Sequence, residues 1–406
     1  MMSSHTTEKA PHLPPVWLLF AMMFVGQFAT NVYLPGLPDI AKDLDTSLSA
    51  AQKLVPAYLA SFAIAQLVMG PLSDRFGRRP VIVCGLGIFS CASVVCVLAP
   101  DIPTLIIARI FQAAGACGTI VVGRAMIRDT SEGVAAVQAM AYLAIAMAIG
   151  PMTAPFIGGF LTGWFGWQST FLFTALVGVL VFTSVVLQLE ETLPPEKRNP
   201  PAPLQIFKAY LSLFRIRMFV LYSLIITFAT AAAQVYLTSI PVVFTVLMGV
   251  SPEEVGLFIF LMPPFFMLST YLSRLLSNHM PIDQIILIGV IISACGGALQ
   301  FVAGLIGVST PYPVMACFAI SNFGTGFVFA NCYAKALSTV PSSIAGSASA
   351  LGGFIHMGWG AVVSFAVASV VHTSSLEMGV AQFATTTLGL VTALILIFGV
   401  KGGRFE

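Results

Sequence analysis

The chain has 406 residues, 58% of them hydrophobic and only 8% charged, with a formal net charge of +2. That balance excludes a soluble globular domain or a disordered chain and describes a polytopic membrane protein. Nothing in it points to nucleic acid as a partner.

Apolar stretches long enough to cross a bilayer recur at 15–37, 51–72, 81–99, 104–127, 134–162, 169–188, 217–246, 254–273, 284–307, 312–336, 345–371 and 379–400. The expected fold is all-α, with twelve transmembrane helices. An even number puts both termini on one side. The first stretch follows a short polar tail without a basic n-region and continues as a full span, so no cleavable signal is expected. Under this topology fifteen Lys and Arg residues, from Lys9 and Arg75 to Lys401 and Arg404, fall on one face, against Lys42 and Lys53 on the other. The crowded face, and both termini with it, is assigned to the cytoplasm.

Span 1 closes with Asn31-Val32-Tyr33-Leu34-Pro35-Gly36-Leu37-Pro38, and span 7 contains Gln234-Val235-Tyr236-Leu237-Thr238-Ser239-Ile240-Pro241. The two align position for position at an offset of 203, and Gly118-Thr119 in span 4 is echoed by Gly324-Thr325 in span 10. Either two apolar segments agree by coincidence or a six-helix unit is duplicated. Duplication predicts bundles over 1–189 and 217–406, joined by a loop over 190–216 that opens with Glu190-Glu191-Thr192-Leu193-Pro194-Pro195-Glu196-Lys197-Arg198, where Pro and charge return.

Between spans 2 and 3 lies Gly70-Pro71-Leu72-Ser73-Asp74-Arg75-Phe76-Gly77-Arg78-Arg79-Pro80, too short to recross the bilayer. Asp74 can accept charge-assisted bonds from arginines, and Gly77 permits a turn closed to other residues. The pattern resembles the signature loop of the major facilitator superfamily, which helps hold the cytoplasmic side closed; the alternative is a loop whose charge only fixes topology. The resemblance implies two pseudo-symmetric six-helix bundles and a conformational latch of Gly70, Asp74, Arg75, Gly77, Arg78 and Arg79. Arg124, Arg128 and Asp129 end span 4 at helical spacing; they either join the latch through Asp74, Asp129 or Glu132 or form a solvated cap.

Arg109 falls just inside the outer end of span 4, and Arg109-Ile110-Phe111-Gln112-Ala113-Ala114-Gly115 resembles the family's Arg-x-x-Gln-x-x-Gly motif. An embedded arginine is costly unless it faces a cavity, finds acceptors or snorkels to the outer headgroups. Span 5 sets Pro151 and Pro155 four apart, followed by Gly158 and Gly159, giving a bent helix open to close approach. This resembles the antiporter motif of the bicyclomycin and chloramphenicol resistance branch, or is a kinked packing helix without transport meaning. Similar Glu-Thr-Leu-Pro-Pro-Glu wording occurs in that branch. The loop after span 8 keeps only Arg274 of the latch pattern.

The seven cysteines lie in apolar runs without metal-ligand spacing and read as packing residues; no metal or cofactor is expected. No P-loop or nucleophile-base constellation suggests an enzyme. All sixteen Asp and Glu residues fall in loops or at span ends, and Asn31 stands where related exporters commonly carry an acid. The resemblance implies an exporter of small amphipathic organic compounds, working as a monomer in the bacterial inner membrane, with protons as the second partner. Coupling would fall to His356, a group of unperturbed pKa about 6.5 within span 11, or to Asp39 or Arg109. Export of a siderophore or metabolite, uncoupled facilitation, and a non-transporting sensor are the alternatives. The substrate cavity is expected near mid-membrane between the halves, lined by Gln27, Asn31, Tyr33, Tyr58, Arg109, Gln112, Gln234, Tyr236, Asn322, Asn331, His356 and Trp359.

Overall fold

The computed structural model describes residues 14–131, 133–198, 203–341, 344–370, 374–400 and 402. The expected charges at Lys9, Glu132, Lys401 and Arg404 lie outside these residues. Among the described residues, twelve helices are long and apolar enough to cross a membrane: α1 (Val16–Asp43), α2 (Leu48–Phe76), α3 (Arg78–Val97), α4 (Ile102–Thr130), α5 (Gln138–Phe165), α6 (Gln168–Gln188), α7 (Arg217–Leu247), α8 (Pro252–Leu276), α9 (Ile282–Leu305), α10 (Pro311–Ser338), α11 (Ala345–Ala368) and α12 (Leu376–Val400). Among the described residues there is no strand.

Local chemistry sets the helix ends. Asp101 accepts the Thr104 N–H at 2.8 Å and so caps α4, a bond that also holds its carboxyl below the usual range. Ser251 and Glu254 form a reciprocal capping box that starts α8. Prolines bend what the hydropathy pattern reads as straight. At Pro35, α1 passes through a 3-10 turn, Leu34–Gly36, and continues as Leu37–Asp43, so the helix runs past the expected end of span 1 at residue 37. At Pro263-Pro264 α8 breaks after Phe260 and resumes, because neither proline has an N–H to donate. The loop 190–216 carries an amphipathic helix, Pro203–Leu213, that its prolines and charges conceal. Leu204, Phe207 and Leu211 are exposed on one side of it, and the Tyr210 hydroxyl donates to the Leu67 carbonyl of α2 at 3.3 Å.

Each half packs its own core. In the first, Met22, Ile82, Leu86 and Ile127 lie toward the Gly77 end, and Tyr33, Leu37, Trp167 and Phe171 toward the Gly36 end. In the second, Ile225, Ile286 and Val290 answer Tyr236, Phe244 and Phe318 in the same way. The seam between the halves is made by α2 against α11 and by α5 against α8. Advancing α2 and α5 by six helices gives α8 and α11, so the repeat exchanges the two seam pairs, as a two-fold relation between duplicated units requires.

The seam is shut at the Gly36 end. A Cβ on Gly159 of α5 would lie 2.6 Å from the Pro252 carbonyl oxygen and 3.3 Å from Gly256 Cα of α8, so only glycine lets these backbones meet. Gln52 of α2 adds a buried bond, donating to the Thr238 carbonyl of α7 at 3.0 Å. At the Gly77 end the halves stand apart around a vestibule of about 570 Å3, lined by Asp74, Arg78, Arg124 and Arg128 from the first half and by Gly346, Ser347 and Ser349 from the second.

Candidate functional site: a neutral cavity at the seam

Midway along the seam lies a cavity of about 250 Å3. Helix α1 presents Gln27, Thr30 and Asn31 to it, and α7 presents Thr230 and Gln234. The first three share one helical face by their spacing. Asn31 and Gln234, and likewise Gln27 and Thr230, are equivalent positions of the repeat, so the two halves face one another across the cavity with matching residues. Tyr58 and Phe62 of α2, Pro151 of α5, Phe266 of α8, Asn322, Thr325 and Phe329 of α10, and His356 and Met357 of α11 complete the wall.

Among the residues lining it there is no Asp, Glu, Lys or Arg. Some of the polar groups are already engaged with backbone: Asn322 donates to the Met262 carbonyl at 3.0 Å, Tyr58 to Gly26 at 3.2 Å and Thr325 to Ala229 at 3.3 Å. His356 meets Phe329 edge-on, with ring centroids 6.1 Å apart. The arrangement offers amide, hydroxyl and imidazole groups in an aromatic wall, which suits a neutral ligand with its own donors and acceptors. Toward the vestibule, the Gln66 side chain of α2 lies against Gly353 of α11 and narrows the way in.

Six of the twelve expected lining residues are therefore brought together: Gln27, Asn31, Tyr58, Gln234, Asn322 and His356. The other six are elsewhere. Arg109 is fully buried inside the first half, stacked 4.2 Å from the Tyr33 ring and 4.0 Å from the Tyr58 ring. Its Nη1 donates to the Ala29 carbonyl at 2.9 Å and to Gln112 Oε1 at 2.5 Å, and Gln112 passes the chain on to Ser93 at 2.7 Å. Acceptors and rings inside the bundle thus replace both the expected cavity exposure and snorkelling. Tyr236 is buried likewise, stacked on Phe318 at 4.1 Å. Asn331 turns to α8, donating to Ser273 Oγ at 2.7 Å. Trp359 faces a groove formed with α12 residues such as Val380 and Leu388. Asp39 sits half-buried beyond the Leu34–Gly36 turn, outside the cavity wall.

At the Gly77 end Arg78 is the hub. Only 3% exposed, it reaches Asp74 Oδ1 at 2.5 Å, Asp129 Oδ2 at 2.8 Å and Ser73 Oγ at 2.6 Å. Glu191 accepts the backbone N–H groups of Arg78 at 2.9 Å and Arg79 at 3.3 Å, and Arg79 donates to the Leu189 carbonyl at 2.7 Å. Gly77 has φ +100, and a Cβ there would come within 2.6 Å of Arg198 Nη2. Asp74 and Asp129 both pair with Arg78, and not with Arg124 or Arg128 as the spacing suggested; Arg124 instead reaches the Met147 sulfur at 3.1 Å, and both arginines line the vestibule. Arg75 is exposed over Phe76, and Gly70 also faces the vestibule. Every bond named here stays within the first half and the start of the linker, joining α2, α3, α4, α5 and α6; the network is complete while the seam at this end is open. Of the remaining span 5 residues, Gly158 packs on the Val32 carbonyl and the Pro155 carbonyl meets Gly256.

Sequence reasoning missed Thr30, Phe62, Thr230, Phe266, Thr325, Phe329 and Met357 in the cavity wall. It also missed Asp283 at the start of α9, 1% exposed and accepting the Tyr222 hydroxyl at 2.7 Å. The offset of 203 that pairs Gln27 with Thr230 was the available signal.

Two six-helix repeats that close at one end of their seam and part at the other, around a mid-membrane cavity, define an alternating-access carrier. The chain belongs to the Major Facilitator Superfamily, whose family model matches residues 19–365. It is 29% identical to multidrug resistance protein D of Escherichia coli, covering 93% of each chain. It is 24% identical to the bicyclomycin resistance protein homolog of Haemophilus influenzae, covering 86% of this chain and 88% of that one. The fold matches the crystal structure of the POT family transporter PepTSo at a TM-score of 0.78 and 12% identity, over 96% of this chain and 98% of that one. Twelve spans and bacterial relatives of this kind make it a multi-pass protein of the inner membrane.

Proposed function

We propose that the protein exports neutral, hydrogen-bonding organic compounds of the bicyclomycin kind from the cytoplasm by proton antiport, with both termini and the vestibule on the cytoplasmic side. The observation that carries this reading is the cavity wall: amides, hydroxyls and aromatic rings from both halves, without a carboxylate among its lining residues. The relatives' drug-resistance names support the substrate class, and the positive-inside bias supports the orientation. The open vestibule then corresponds to the state that loads substrate. A monomer suffices, because both walls of the cavity come from one chain.

His356 is the coupling group in this reading. Its imidazole can take up and release a proton, and it lines the cavity where Arg109 and Asp39 do not. Arg109 then acts as a fixed charge, and Asp39 belongs to the closed outer end. In proteoliposomes, a pH gradient should drive wild-type protein to concentrate bicyclomycin, while His356→Gln should retain exchange of bicyclomycin and lose concentration against a gradient. A His356→Gln protein that still concentrates it would remove His356 from the role, and wild-type protein that does not move bicyclomycin would overturn the substrate class.

A further inference from the structure

Behind His356 lies a second, smaller cavity of about 50 Å3, lined among others by Ser223, Phe329, Tyr333, Gly352 and Gly353. It shares only His356 and Phe329 with the central cavity. His356 is half-buried and thus borders two separate spaces. At the far side of the chamber the Tyr333 hydroxyl lies 2.6 Å from Ser349 Oγ, and Ser349 lines the vestibule. The side chains therefore lead from the vestibule through Ser349 and Tyr333 into the chamber, and through the chamber to His356.

We propose that this chamber is a proton passage between His356 and the vestibule, separate from the route taken by substrate, with Tyr333 and Ser349 as its carriers. The proposal rests on the reading of His356 as coupling group. A water needs roughly 10–15 Å3 of such space and two or more polar partners, so the chamber has room for a few waters between His356, Ser223 and Tyr333. Substrate occupying the central cavity blocks the direct way out past Gln66, yet antiport requires the proton to leave as substrate loads. The chamber lies on the other side of the imidazole and stays open when the cavity is filled.

The transfer balances without a further reactant. Imidazolium His356 gives its N–H proton to a chamber water; that water passes a proton to the Tyr333 oxygen as the Tyr333 proton moves to the Ser349 oxygen and the Ser349 proton to vestibule water. Each oxygen gains one proton and loses one, and His356 is left neutral. No charged side chain lines the chamber to trap the proton. The titratable groups facing His356 are Tyr58 of α2 and Tyr333 of α10; Arg109 of α4 lies behind the Tyr58 ring, and the residues that α1, α5, α7 and α8 contribute to the two cavities do not titrate.

Tyr333→Phe removes the carrier and keeps the ring. Gly352→Leu plugs the chamber, since a Cβ at Gly352 meets nothing within 4 Å. Both are expected to slow pH-gradient-driven bicyclomycin transport in proteoliposomes, and the accompanying proton movement read by entrapped pyranine, at least tenfold. Bicyclomycin exchange at equal pH should stay within twofold of wild type, which also shows that the variants fold. If His356→Gln uncouples transport but Tyr333→Phe and Gly352→Leu keep the wild-type gradient-driven rate, the passage is overturned and the coupling role stands. If His356→Gln remains coupled, the underlying reading fails instead. Loss of exchange together with coupling in both variants would assign the chamber to packing and also overturn the passage.

Discussion

The guanidinium of Arg109 lies 4.0 Å from the ring centroid of Tyr58, and the opening of the central cavity begins on the other side of that tyrosine. A cation of the first half is thereby separated from the substrate space by one aromatic ring. It is held by stacking and by two acceptors, without a carboxylate partner among its bonds.

This geometry predicts an unusual order of tolerance. Arg109→Lys places a strongly hydrated point charge where a planar group stacked, and should lower stability by about 2–4 kcal/mol. Arg109→Met loses the bonds to Ala29 and Gln112, at a cost of about 1 kcal/mol each, but leaves no buried charge to solvate. Thermal unfolding in detergent should rank wild type above Met and Met above Lys; a Lys variant as stable as wild type would mean that the site is wet.

The glycine contact at the closed end should behave as a gate. Gly159→Leu or Gly256→Leu puts a side chain where the opposing backbone leaves no room, so the seam at the Gly36 end cannot shut. Transport should fall at least tenfold while the protein still inserts. A cysteine placed at Asn31 should become reactive to an impermeant maleimide from the periplasmic side, and unchanged labelling would count against the gate.

Within the Arg78 hub the two carboxylates are unequal. The side chain of Asp129 is 16% exposed and that of Asp74 37%, so water screens Asp74 more. Asp129→Asn should destabilise by about 3 kcal/mol, as loss of one member of a buried pair does, and Asp74→Asn by about 1 kcal/mol or less. Chemical denaturation of the two variants checks the ranking. Because no bond named in the hub crosses the seam, both variants should keep the vestibule labelling of the wild type in this state and differ only in how readily the opposite state forms.

Charge in the cavity should switch its selectivity. Asn31→Asp adds a carboxylate to a wall that has none, so uptake of a lipophilic cation such as tetraphenylphosphonium should appear or rise about tenfold. Affinity for bicyclomycin should fall by a similar factor. Equal transport of both compounds by wild type and variant would show that substrate does not meet Asn31.

The spans and their duplication were legible because a bilayer imposes length and hydropathy on every crossing, and because the Asn31 and Gln234 segments kept their register. Helical phase was harder to read. Tyr33 and Tyr236 stand two residues beyond Asn31 and Gln234, about 200° around the helix, and so point into the cores of their bundles. In a helix that is apolar on every side, the lipid-facing, core-facing and cavity-facing surfaces look alike, so the sequence does not distinguish Trp359, which faces the α12 groove, from a wall residue. Thr230 and Thr325 went unseen for a related reason: a hydroxyl that bonds to its own helix at 2.8 Å or 3.1 Å leaves no trace in polarity patterns. The linker helix was hidden by its flanking prolines, although Leu204, Phe207 and Leu211 already fall on one face.

Tyr236 and Phe318 repeat, with a neutral ring, the stacking that Tyr33 makes with Arg109. The second half thus serves as an internal control: a six-helix unit of the same ancestry fills that joint with no ion. The two halves consequently differ as dielectric bodies. A transmembrane voltage acts on a fixed elementary charge with up to about 2.3 kcal/mol per 100 mV, and at this joint it finds one in the first half and none in the second. If the halves rock against each other, the membrane potential pulls on them unequally, and the energy difference between the two facings becomes a function of voltage as well as of pH.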